Sequence, residues 1–154
     1  MGLKLRSSQL QYGFSLIELM IVLVIAGVLF FVALPAYQNS ILKSNRSVGR
    51  GVLMDVVSRQ EQFFINNKSY ATSLEDLGLD PDRDDKYLVD DKAQAVTAES
   101  DAIYRIEIIA ISTLAYSATP LSRQVKDRHC NILTLEQIGT RDVSGATLTK
   151  SECW

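Results

Sequence analysis

Between Phe14 and Leu34 the chain runs for 21 residues with one charge, Glu18, and one other conventionally polar side chain, Ser15. About 20 apolar residues in a helix cross about 30 Å of hydrocarbon, so this run predicts a membrane-spanning segment. No polar face interrupts it, which argues against a helix buried in a globular core. Gly27 weakens the helix, and Pro35 removes a backbone hydrogen bond and crowds the turn before it, so a bend or a local opening is expected there. Beyond Pro35 the pattern changes. Tyr37, Ile41, Val48, Val52, Val56 and Phe63 recur at helical spacing, with Leu53, Val57 and Phe64 widening the stripe. They predict an amphipathic helix to about Asn66 whose apolar side covers a sheet. Gly49 and Gly51 lower its propensity, so the stripe carries this assignment.

Farther on, the period shortens. Thr72-Ser73-Leu74-Glu75 has the form of a capping box for a short helix that Gly78 stops. Ile103–Ile111 reads as a largely buried strand, Ser112-Thr113-Leu114 as a turn, and Ala115–Thr119 as the returning strand before Pro120. Asn131–Gln137 makes a third strand ended by Gly139, and Leu148–Cys153 a fourth, with Tyr87–Asp90 a marginal edge strand. The order predicts an α+β fold, a long helix on an antiparallel meander of about four strands.

At 154 residues there is room for one domain once the apolar run is set aside. The net charge of −2 falls to −4 without Met1–Gly13, which argues against a generic nucleic-acid binder but leaves room for local patches. Asp80–Asp101 holds eight acids against three basic residues. Within it Asp80–Asp85 invites a calcium reading, but an EF-hand-like loop needs glycine where Asp85 stands and glutamate where Asp91 stands. A solvated loop is the simpler expectation.

Two cysteines, Cys130 and Cys153, sit in the last quarter of the chain. They read as one disulfide in an oxidising compartment, the alternative being two reduced core thiols. His129, the only histidine, stands beside one cysteine and forms no zinc spacing. With no glycine-rich phosphate loop, catalytic triad pattern or metal set, no enzymatic activity and no cofactor are expected.

The segment "GFSLIE", Gly13 to Glu18, followed directly by the apolar run, resembles the class III prepilin signal of type IV pilins and pseudopilins. The alternatives are an ordinary secretory signal, whose cleavage near Ala33 is spoiled by Pro35 and Tyr37, and a plain uncleaved anchor. The resemblance implies that a prepilin peptidase cuts between Gly13 and Phe14 and methylates the new amine of Phe14. Residues 1–13 are then a leader, 14–36 a membrane and filament-core helix, and 37–154 the head. It also gives Glu18 a role. A carboxylate in apolar surroundings needs a partner; Glu18 lies one turn from Phe14 and is expected to pair with the amine of a neighbouring subunit, the alternative being a side chain snorkelling at the membrane surface. Gly27 to Pro35 becomes the stretch expected to lose helical order in a filament.

"RQEQFF" (Arg59 to Phe64), "YSATP" (Tyr116 to Pro120), "DRHCNILTLEQIGTR" (Asp127 to Arg141) and "ECW" (Glu152 to Trp154) resemble the minor pilins of pilus biogenesis and, in the same places, a competence pilin that binds DNA. The acidic insert departs from that pattern. The resemblance implies that Cys130 and Cys153 close a distal loop, with the amino terminus cytoplasmic, the head periplasmic and the finished subunit in a surface pilus. The expected partners are other pilins, the peptidase, the inner-membrane assembly machinery and the bilayer. A minor subunit leads, with major pilin, type II secretion pseudopilin and DNA receptor as alternatives. Candidate DNA contacts are Arg123, Lys126, Arg128, Arg141 and Lys150, joined by His129; Asp127, Asp142 and Glu152 are interleaved with them, so a mixed solvated surface is the simpler expectation.

Overall fold

The computed structural model describes residues 13–79, 85–110 and 114–154. One helix, α1 (Leu16–Asn67), runs through both of the units into which the chain divides, Met1–Asn39 and Ser40–Trp154. In the first unit its apolar side chains are bare to the outside: Phe14 is 85% exposed and Phe31 84%. The helix is long and apolar enough to cross a membrane. It stays helical through Gly27 and Pro35.

The second unit is the head, an α+β arrangement in which the rest of α1 packs on an antiparallel sheet ordered β1-β2-β3-β4-β5. The strands are β1 (Tyr87–Val89), β2 (Tyr104–Ala110), β3 (Ala115–Pro120), β4 (Ile132–Glu136) and β5 (Arg141–Ser144). Their register aligns Tyr87, Ile106, Ala118, Leu133 and Val143 in one row across the sheet. Alternate residues along a strand face one way, so this row and the neighbouring Tyr104, Tyr116 and Leu135 point into the core with Val52, Leu53 and Val56 of α1.

Four details differ from the sequence reading. The fourth expected strand, Leu148–Cys153, is not a strand: Lys150–Cys153 forms the short helix α2, and Arg141–Ser144 takes the strand position. The cause is local, since the Thr149 backbone N–H donates to Glu152 (3.0 Å) and its hydroxyl to the same carboxylate (2.6 Å). Tyr87–Val89 is a full edge strand, making five. β2 is covered on one side only, with Ile106 buried and Ile109 half exposed, because Arg105 and Glu107 share the outer face with it. The short helix after Thr72 is a 3-10 turn, Glu75–Leu77; Ser73 rather than Thr72 accepts the amide, from Asp76 at 3.2 Å, and Gly78 ends it in the left-handed conformation.

The buried stripe of α1 is also rotated from the expected one. It comprises Asn45, Arg46, Gly49, Val52, Leu53, Val56 and Gln60, while Tyr37 is exposed and Phe63 only partly covered. Gly49 lies there because the ring of Tyr104 crosses it: a Cβ at Gly49 would stand 2.9 Å from that ring. The calcium reading of Asp80–Asp85 and the turn at Ser112-Thr113-Leu114 fall outside the described residues, except for Asp85 and Leu114. Asp85 accepts a hydrogen bond from the Leu74 amide at 2.9 Å.

Candidate functional site

The distal end of the head is assembled around a buried ion pair. After β3 the chain makes a 3-10 helix, Ser122–Lys126, whose last cap residue, Asp127, turns inward. Both oxygens of Asp127 receive the guanidinium of Arg46 from α1, at 2.5 and 2.7 Å. Gln124 donates to Asp127 (3.1 Å) and to the Leu42 carbonyl (3.3 Å), and accepts from Asn45 at 3.0 Å. The amides of His129 and Cys130 also reach the Asp127 carboxylate, at 3.2 and 3.4 Å. The hydrogen bonds that Arg46 donates to Asp127 raise its pKa above the ordinary value, against the opposing effect of burial.

From that anchor, the Cys130–Cys153 disulfide encloses β4, β5 and α2. The pairing is the one expected from the sequence. Two hydrogen bonds pull the ends of this loop together: Thr147 Oγ1 donates to the Arg128 carbonyl (3.3 Å), and the Leu148 amide to the His129 carbonyl (3.2 Å). Trp154 is held at three points. Its indole N–H donates to the Asp142 carbonyl (2.9 Å), its amide to the Lys150 carbonyl (3.1 Å), and its own carbonyl accepts from Arg50 (2.9 Å). The guanidinium of Arg141 lies 5.5 Å from the centre of its ring, within cation–π range. Between the β4–β5 hairpin and α2 opens a groove of about 790 Å³, lined by Thr140, Arg141, Thr149, Lys150, Ser151 and Trp154, with Gly139 at its rim.

All five candidate cations are exposed, and the loop closure brings Arg128 near α2 while Arg141 and Lys150 share the groove. Arg123 pairs with Asp91 at 2.8 Å and Lys150 with Asp142 at 3.4 Å, both solvent-facing pairs of small energy. His129 meets the Thr147 hydroxyl through Nδ1 at 3.1 Å. The three interleaved acids are not equivalent. Asp127 is buried and matched by Arg46, Glu152 caps α2, and Asp142 faces Lys150 on the outside. The exposed face is therefore more basic than the order of residues suggests. Sequence reasoning missed the Arg46–Asp127 pair, the Gln124 bridge and the fixed Trp154 ring. One signal was available: Asn45, Arg46 and Gln60 fall on the buried stripe of a helix, where a polar residue requires a partner.

At the other end, Gly13, Phe14 and Ser15 precede α1, and Glu18 occupies its first turn. The cleavage bond assigned from the sequence thus lies just ahead of the helix. Residues 1–12 of the expected leader lie outside the described residues.

A helix continuous from an apolar segment into a head with a five-strand meander and a distal disulfide defines a pilin-like subunit. Residues 9–34 match the prokaryotic N-terminal methylation motif. Residues 35–134 match the family described as type IV minor pilin ComP, DNA uptake sequence receptor, and the chain belongs to that family. Over 75 residues it is 33% identical to the type IV major pilin protein PilA of Myxococcus xanthus, covering 49% of this chain and 34% of that protein. It is 40% identical over 75 residues to the type IV major alpha-pilin of Moraxella bovis (45% and 47% covered). Against the type IV major pilin protein PilE1 of Neisseria gonorrhoeae, identity is 36% over 70 residues (46% and 42% covered). The matches thus span only about a third to a half of the length of these curated relatives.

Proposed function

We propose that this chain is a minor subunit of a type IV pilus whose head binds DNA through the face formed by the disulfide loop and the 3-10 helix before it. The observation that carries the reading is the family match over residues 35–134, which includes Arg123, Lys126 and Arg128. The burial of Asp127 supports it, because the one acid between Lys126 and Arg128 is withdrawn from that face. Nucleic-acid phosphates are bound by such exposed cations with release of counterions, so affinity falls with salt.

In this reading a prepilin peptidase cuts between Gly13 and Phe14 and methylates Phe14. Residues 14–36 hold the subunit in the inner membrane, amino terminus inside and head in the periplasm, until the pilus machinery extracts it. Glu18 then pairs with the amine of a neighbouring pilin, and Gly27 to Pro35 loosens as subunits pack. The matched relatives named as major pilins favour a second reading, a major subunit, which abundance in filaments separates from the first.

The test is binding of a labelled DNA duplex to the full chain in detergent micelles across a salt series. A face engaging about four phosphates gives a slope of log affinity against log salt near −4, and Arg128→Ala lowers its magnitude by about 1. No binding at low salt would remove the receptor reading and leave the pilin reading untouched.

A further inference from the structure

The tip of the β4–β5 hairpin carries Ile138, 84% exposed. A single exposed isoleucine is ordinary; its setting is not. The tip is a tight turn in which the Glu136 carbonyl accepts from the Gly139 amide (2.9 Å) and the Glu136 amide donates to the Thr140 carbonyl (2.9 Å). Gly139 supplies the left-handed conformation, at φ 85°. Turn positions of this kind are occupied chiefly by Gly, Asn, Asp, Ser and Pro, so the fold has no use for a β-branched apolar residue there. The tip is also fixed. Gln137 donates to Glu61 of α1 (2.9 Å) and to the Tyr70 hydroxyl, and its amide donates to the Leu114 carbonyl (2.9 Å).

The next residues, Gly139, Thr140 and Arg141, form one wall of the groove that holds Lys150 and Trp154. An aliphatic point held rigid beside two cations and a fixed aromatic ring matches the surface of duplex DNA, where phosphates flank apolar base steps. Apolar side chains next to phosphate-binding cations enter base steps and partly unstack them. The groove residues from Arg141 to Trp154 lie beyond the family match, so nothing in that match assigns them a role. We infer that Ile138 is an apolar wedge for duplex DNA, acting beside a groove whose Arg141 and Lys150 contact the phosphates. This rests on the receptor reading above.

The test uses the full chain in detergent micelles and a duplex that the wild-type chain selects from a randomised pool, relabelled with 2-aminopurine at successive positions. Binding by wild type raises the 2-aminopurine emission at one step. Ile138→Asn, which suits the turn, lowers affinity on the order of tenfold, removes that emission change and leaves the salt slope as it was. Ile138→Met restores the emission change. Unaltered affinity and emission in Ile138→Asn would overturn the wedge and keep the receptor. Unaltered DNA binding with lost entry into pili would overturn it in favour of a subunit contact. A wild-type chain that binds no duplex at low salt would remove receptor and wedge together.

Discussion

Arg46 on α1 and Asp127 at the mouth of the disulfide loop form a bidentate ion pair with side chains 8% and 0% exposed. This pair ties the candidate DNA face to the helix, since the same carboxylate holds the amides of His129 and Cys130. Removing one partner leaves the other buried and uncompensated. Asp127→Ala is expected to cost about 3–5 kcal/mol in urea unfolding, as is Arg46→Ala. The double variant should lose clearly less than the sum, and strict additivity would refute the coupling.

Two glycines two positions apart in α1, Gly49 and Gly51, should respond in opposite directions to alanine. At Gly51 a Cβ meets nothing within 4 Å, so alanine gains helix propensity of about 1 kcal/mol. At Gly49 the new methyl meets the buried ring of Tyr104 at 2.9 Å, and overpacking of about 1–3 kcal/mol outweighs that gain. Thermal unfolding of the two variants checks this; an equal rise in Tm for both would mean that Tyr104 moves aside freely.

The disulfide joins positions separated by 23 residues. In the chain-entropy model, closure of such a loop is worth roughly 3 kcal/mol, so Cys130→Ser with Cys153→Ser should lower stability by about that amount. Because Asp127 grips the loop from outside it, β2 and β3 are expected to keep their hydrogen-exchange protection while β5 and α2 lose theirs. Uniform loss across the sheet would contradict this.

Tyrosine titration gives a pH test with a definite sign. Burial disfavours the phenolate of Tyr116, whose pKa is pushed up to about 12, and raises that of Tyr104 further. Groups with raised values favour the folded state below their ordinary pKa of about 10, and that contribution disappears as pH climbs through the native value. Tyr116→Phe should remove phenolate absorbance from a late alkaline phase near pH 12, ahead of the still later phase of Tyr104; a loss near pH 10 would show that the Tyr116 ring is open to solvent.

Acid acts on the cap of α2. Glu152 is held below the usual carboxylate range, first by the Thr149 hydroxyl and then by its amide. A lowered value stabilises above the ordinary pKa of about 4.3 and is lost as pH falls through the native one. The Trp154 fluorescence should therefore change at low pH ahead of global unfolding, and Glu152→Gln should remove that early step. An unaltered acid profile in Glu152→Gln would discard the cap as its origin.

Much of this molecule was legible in its pattern. The apolar run with one carboxylate, the helical stripe, and the strands around Ile106, Tyr116 and Leu133 follow from periodicity and end signals. What escaped depended on contacts far apart in sequence. Gly49 read as a weak helix former because the Tyr104 ring that requires it lies 55 positions away. Asp127 read as one more surface acid because its partner, Arg46, is 81 positions away. Leu148–Cys153 read as a strand, but the reciprocal Thr149–Glu152 cap starts a helix at Lys150.

Processing at Gly13, followed by entry into filaments as a minor component, is what we propose for this chain. Filaments sheared from native cells and analysed by mass spectrometry test it most directly. The expected result is a small fraction of this chain whose first peptide begins at methylated Phe14. Absence from filaments, with Met1–Gly13 still attached in the membrane fraction, would contradict it.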